Sequence, residues 1–139
     1  MKALLVCTHG KSAKELVASA EMICGKQQNC SSIPFTMGES PDKLMADLES
    51  KIQGLDLSDG LLCLTDLKGG TPFNILVKMT QTNPSLEIVT GVNIPMLLEF
   101  FIRREQSEMP DLIKQVIEAG HSGIYQYAFL PESGKDEDF

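Results

Sequence analysis

Two solid apolar runs, Lys2–Cys7 and Leu61–Thr65, constrain this chain more than any other feature. Beyond Lys2 neither alternates polar with apolar residues, so each fits a parallel strand covered on both faces rather than one with a wet side. Two further strands are predicted at Ser31–Met37 and Leu86–Thr90. Stretches of helical period separate them. Ser12 and Glu15 form a capping-box pattern, followed by Ala13, Leu16, Val17, Ala20 and Ile23 on one face and a closing Gly25. Ser40–Pro41–Asp42 reads as N-cap, N1 and N2 of a second helix with Leu44, Met45, Leu48 and Ile52 inward.

The third helix is predicted to open at Thr71 as N-cap and Pro72 as N1, the fourth to carry Met96, Leu97, Phe100 and Phe101. A fifth starts near Pro110 and ends at Gly120, after a polar connection at Arg103–Met109. Strand–helix alternation with short connections implies an α/β fold: a doubly wound, mainly parallel sheet of about four strands with helices on both faces. Ile124–Leu130 alternates Tyr125, Tyr127 and Phe129 with other residues and is predicted to be a C-terminal edge strand. One domain over 1–130 is expected, with an acidic, disordered tail at 131–139.

In such a sheet the site lies at the carboxyl ends of the strands. His9 follows the first strand, Asp66 the third, and Gly91–Asn93 the fourth, so all three fall on one edge. Gly10 is expected to remove bulk beside His9. A neutral imidazole nitrogen is a good nucleophile toward phosphorus, and a carboxylate beside the ring would fix the tautomer. The pair Gly69–Gly70 allows a tight turn into the helix at Thr71, whose unpaired N–H groups and dipole suit phosphoryl oxygens. His121, after Gly120, is expected at a helix C-terminus with no catalytic role.

Other chemistries find little support. The net charge of −7 argues against nucleic acid, which needs clustered Lys and Arg. Gly10–Lys11–Ser12 resembles the end of a Walker A loop, but the required first glycine is Leu5. No GxGxxG follows a strand, and the two histidines lie far apart, so no metal constellation is expected. The cysteines Cys7, Cys24, Cys30 and Cys63 form no CxxC and are expected to be reduced, as in the cytosol. The apolar residues after Lys2 are too few for a signal peptide or a membrane span.

Thr8–His9–Gly10, the run TDLKGGTPFN at Thr65–Asn74 and TGVNIPML at Thr90–Leu97 together resemble the IIA component of the mannose-family sugar phosphotransferase system. The resemblance covers Lys2–Phe129. It implies that His9 takes a phosphoryl group from the histidine phosphocarrier protein HPr and passes it to a histidine of the IIB component, for sugar uptake. It implies that Asp66 is the paired carboxylate and that Gly70, Thr71 and Thr8 contact the phosphate. It further implies a cytoplasmic homodimer with the C-terminal strand exchanged, no cofactor or metal, and membrane contact only through the IIC and IID components. The acidic balance would suit a basic docking surface on HPr. Lys68 stands where some relatives carry an aromatic residue. Three other readings stay open: the phosphotransfer subunit of a dihydroxyacetone kinase, a regulatory module switched by His9 phosphorylation, and a flavodoxin-like binding module without chemistry.

Overall fold

The two solid apolar runs become the two inner strands of one sheet. This structure, a computed structural model that describes residues 1–131, has the elements β1 (Ala3–His9), α1 (Ser12–Cys24), β2 (Cys30–Phe35), α2 (Pro41–Gln53), β3 (Leu61–Thr65), α3 (Thr71–Met79), β4 (Leu86–Thr90), α4 (Ile94–Arg103) and α5 (Met109–Ser122). The strands are ordered β2-β1-β3-β4 and all pairs are parallel. The chain leaves β1 toward one edge, then crosses back over it to β3. The point where the winding reverses therefore lies between the ends of β1 and β3.

Strand period and helix period divide the core into two layers. Ala3, Leu5 and Cys7 of β1 pack with Leu44 and Leu48 of α2 and Leu76 of α3. Leu4 and Val6 face the other way, against Val17 of α1, Phe100 of α4 and Val116 of α5. Both inner strands are buried throughout, apart from His9 at the tip of β1. That explains their unbroken apolar texture.

Several boundaries differ from the sequence expectation. β1 extends two residues beyond Cys7, so His9 is its last residue and pairs with Phe35 of β2. Lys11, not Ser12, is the N-cap of α1, and it makes no side-chain cap bond. Ser12 Oγ instead meets Thr8 Oγ1 at 2.7 Å and donates to the His9 carbonyl at 3.3 Å. Ile23 is exposed, because Val17, Ala20 and Cys24 set the inward face and Ile23 lies about 100° from Cys24. Gly120 does not end α5, which continues to Ser122. A Cβ at Gly120 would lie 2.7 Å from Met96 Cγ, so glycine there allows α5 to approach α4.

The expected edge strand at Ile124–Leu130 is not formed within this one chain: the segment is exposed and pairs with no strand among the described residues. An extended segment needs a ladder partner, and the described residues offer it none where it lies. From residue 132 onward the expected disordered tail lies outside the described residues. Cys7 and Cys63 are buried, Cys24 and Cys30 are partly buried, and none of the four is in a disulfide.

The Arg103–Met109 connection conceals a buried latch at the end of the sheet opposite His9. Arg104 is 2% exposed. Its Nη1 donates to the Lys2 carbonyl at 3.1 Å, and its Nη2 to Gln27 Oε1 and the Gln28 carbonyl, both at 2.8 Å. The guanidinium stands 5.6 Å from the Phe100 ring centre and 5.4 Å from that of Phe101. Lys2 Nζ donates back to the Arg104 carbonyl at 3.0 Å. Arg104→Ala should cost about 3 kcal/mol, through the void and the orphaned carbonyls, and Arg104→Lys should not restore it because lysine lacks the planar fork. Urea denaturation measures this; a loss under about 1 kcal/mol would show the latch to be marginal.

Candidate active site

The reversal of winding places His9 and Asp66 side by side. Asp66 is the first residue after β3, and its Oδ2 accepts the His9 main-chain N–H at 3.0 Å. His9 Nδ1 lies 3.1 Å from Asp66 Oδ1 and 3.0 Å from Oδ2. An ionised carboxylate only accepts, so Nδ1 carries the proton and Nε2 keeps the lone pair. The imidazole is 43% exposed and the Asp66 side chain 29%. Nε2 is thus oriented from beneath while remaining reachable.

Partial burial pushes the Asp66 carboxyl up, but hydrogen bonds from the His9 main chain and ring and from its own main chain, with the charge of the His9 ring when it is protonated, outweigh that. Its pKa falls below the ordinary 3.8. Cys7, two residues back on the same face of β1, is pushed up to about 12 by burial, helped by the charges of Asp66 and Glu39. It remains a thiol, and so a poor nucleophile.

The other side of the ring meets the start of α3. Leu67–Gly70 forms a turn in which the Gly70 N–H donates to the Leu67 carbonyl at 3.1 Å, with Gly69 at φ +81°. Asn74 Nδ2 secures this turn by donating to the Gly69 carbonyl at 3.0 Å. Gly70, not Thr71, is the N-cap, and Pro72 sits inside the first turn. A Cβ on Gly70 would lie 2.7 Å from His9 Cε1 and 3.4 Å from Nε2. Only glycine lets the helix start come this close to the ring. The backbone N–H groups of Thr71 and Phe73 have no partner among the described residues, as at any helix start, and Pro72 has none to offer. They leave an anion-ready terminus beside Nε2.

The structure does not bring every expected residue together. Thr8 is fully buried on the α1 face, with its hydroxyl committed to Ser12, so it cannot reach a group on Nε2. Thr71 is half-buried at the first position of α3. Asn93 caps α4 through the Met96 N–H at 3.1 Å and holds the Gly120 carbonyl at 3.1 Å, a structural task. Gly10 is needed for its φ of +70°, since a Cβ there would meet nothing within 4 Å; the bulk restriction falls on Gly70 instead. His121 lies in the last turn of α5, as expected. Lys11 and Lys68 are the exposed charged side chains of the turns beside His9, so the acidic balance of the chain is not concentrated at this rim.

One contributor was not legible in advance. Phe35 lies across from His9 in the register, and its ring meets the imidazole edge-on, with centres 5.9 Å apart and planes at 75°. Cross-strand pairing follows from register, and no motif announced it.

Residues 3–117 match the family EIIA-man, described as "PTS system fructose IIA component". The chain belongs to this family. It is 34% identical over 123 residues to the mannose-specific EIIAB component of Escherichia coli K12, covering 88% of this chain and 38% of that protein. The chain thus spans well under half of that relative. It is 28% identical over 116 residues to the fructose-specific EIIA component of Bacillus subtilis, covering 84% of this chain and 80% of the other. An EIIA structure from Streptococcus agalactiae superposes with a TM-score of 0.82 at 30% identity, over 91% of this chain and 97% of that one. A mannose/sorbose IIA subunit from Enterococcus faecalis does so with a TM-score of 0.84 at 27% identity, over 94% and 98%. The doubly wound sheet is therefore that of the IIA components of sugar phosphotransferase systems.

The His9 contact has a consequence for titration. A carboxyl whose folded pKa lies below its unfolded value stabilises the fold above that unfolded value and loses the contribution as pH falls through the folded one. Removing the ring in His9→Ala leaves burial opposed by main-chain donors alone, so the Asp66 pKa should rise. Carboxyl carbon NMR shifts followed against pH in both proteins test this. An unchanged value would mean the ring does not hold the carboxylate.

Proposed function

We propose that this IIA domain is a phosphoryl carrier that works through His9. The observation that carries the reading is the double contact of Asp66 with His9, to main chain and Nδ1, which leaves Nε2 outward against the start of α3. Nε2 attacks the phosphorus of a phosphohistidine on the donor, HPr. The new P–Nε2 bond forms as the donor's P–N bond breaks, and the donor imidazole keeps that electron pair. The His9 ring gains positive charge while its Nδ1–H stays on the Asp66 carboxylate, which stabilises it. The N–H groups of Thr71 and Phe73 receive the phosphoryl oxygens. The reverse displacement, by a histidine of the IIB component, hands the group on toward sugar phosphorylation. The step requires neither metal nor nucleotide, and the domain would act in the cytoplasm, with the membrane engaged only through IIC and IID components. No helix among the described residues is long and apolar enough to cross a membrane.

Incubation with phosphoenolpyruvate and the general phosphotransferase proteins, read by intact mass, should add one phosphoryl group. His9→Ala should abolish it with the fold intact, and Asp66→Ala should slow it by about 10²-fold. Normal uptake by the His9 variant overturns the assignment.

We also propose a homodimer. Ile124, Tyr125, Tyr127, Phe129 and Leu130 are 67–78% exposed in the single chain. Among the described residues β4 is paired only with β3, and beside it lies a cleft of about 230 Å³ lined in part by Val89, Ile117 and Ile124. Strand addition to the β4 of a second copy would cover these groups and give the segment its missing ladder. Sedimentation should give a dimer, and truncation after Gly123 a monomer or an aggregate. A monomeric full chain at micromolar concentration would overturn it.

A further inference from the structure

Glu39 lies outside the His9–Asp66 pair, and its placement is costly. Its side chain is 7% exposed, and its Oε2 is buried with no hydrogen-bond partner among the described residues. A buried carboxylate oxygen without a donor is destabilising. Partial compensation comes from Lys43 Nζ at 3.8 Å and from the start of α2, whose N-cap Ser40 follows directly.

What this carboxylate does is close a turn from both sides. Glu39 Oε1 accepts from the Thr36 N–H at 3.1 Å and from Thr36 Oγ1 at 3.2 Å. The Glu39 N–H donates to the Thr36 carbonyl at 3.0 Å. Between them Gly38 takes φ +83°, the conformation that such a turn demands of its third residue. The turn follows directly on Phe35. On its other side Phe35 is locked to the residue after His9, since the Gly10 N–H donates to the Phe35 carbonyl at 2.7 Å and the Phe35 N–H to the Gly10 carbonyl at 3.1 Å. The Phe35 ring then stands edge-on against the imidazole. Asp66, Gly70 and Phe35 thus bound the His9 ring, and Glu39 closes the turn that follows the third of them.

We infer that Glu39 is a positioning residue for His9, acting through the Thr36–Glu39 clasp and Phe35. The inference deepens the phosphoryl-carrier reading and rests on it for its kinetic part alone. Its geometric part concerns the ring of His9 whether or not that ring is phosphorylated. A glutamine side chain in place of Glu39 would still present an acceptor oxygen to Thr36, whereas alanine would present none.

The test compares E39Q and E39A with the wild type in two measurements. The first is the NMR shift of the His9 ring protons, which senses the current of the Phe35 ring. The second is the rate of phosphoryl uptake from phosphorylated HPr. In E39A the His9 proton shifts should move toward those of a Phe35→Ala control, and uptake should slow by about 10-fold, as expected for a small displacement of a reacting group. In E39Q the shifts should stay close to wild type and the rate within about two-fold of it, because the clasp survives. Wild-type shifts in E39A overturn the inference. So does an E39Q protein as impaired as E39A, which would make charge rather than the clasp the operative feature. If the wild type takes up no phosphoryl group while the shifts behave as stated, the carrier reading fails and the positioning role stands.

Discussion

A carboxylate at the end of β3 grips an imidazole at the end of β1, and the rest of the molecule is arranged to make that grip possible. Two parallel strands must be neighbours, must be in a register that carries β1 just past the end of β3, and must be followed by loops that leave room above them. The doubly wound order supplies the first condition by returning the chain across β1 before β3 is laid down. Register supplies the second: Cys7 lies opposite Thr65, so two residues further along β1 and one beyond β3 bring His9 and Asp66 together. Because one Asp66 oxygen also takes the His9 main-chain N–H, the carboxylate is anchored independently of the ring it orients. The side chain can then direct the proton of Nδ1 without being dragged by the motion of the imidazole.

Fixing a ring that is nearly half exposed is a different problem from fixing one in a closed pocket. Buried side chains are held by packing on every side, but a group that a partner would have to reach, as in the proposed relay, has one side open. The supports here come from below and from the flanks: Asp66 on Nδ1, the bare Cα of Gly70 against Cε1, and the edge of Phe35. Each flank is carried by a tight turn with a glycine at positive φ, Gly69 on one side and Gly38 on the other. The two turns are each closed by a main-chain bond and braced by a side chain, Asn74 for the first and Glu39 for the second. Rigidity in the loops thus substitutes for enclosure.

How much of this was legible in the sequence differs by the range of the signal. The strands and the doubly wound sheet followed from apolar runs that are local and strong, and the edge on which His9 and Asp66 meet followed from topology alone. Positions set by one-residue choices of backbone conformation were less legible. The N-cap of α3 falls on Gly70 rather than Thr71, and the ring of His9 leaves room there for glycine alone, a contact made by residues about sixty apart. Thr8 belongs to the opposite face of β1 from His9 by simple alternation, which a motif centred on Thr8–His9–Gly10 obscures. Arg104 looked like one more polar loop residue, since nothing local marks a guanidinium that will find its acceptors at Lys2, Gln27 and Gln28. The final segment read as a strand from its alternation, yet alternation reports only which residues prefer burial and says nothing about which chain provides the ladder.

The open face has an energetic logic under the proposed relay. A carrier that accepts a phosphoryl group from one histidine and yields it to another must bind the group neither too loosely nor too tightly. A closed pocket lined with cations would hold the dianion strongly in low dielectric and resist its departure. Here the oxygens would meet two main-chain N–H groups and a helix dipole at a solvated rim, interactions that are modest and partly screened. The charge that the site answers most strongly is the one that develops on the ring itself, and the Asp66 carboxylate does so in both directions of transfer alike. Under that relay the carboxylate beneath the ring would stabilise the charge of the phosphorylated state as well as the approach to it, and weak anion binding above would keep the group from being held too tightly to leave.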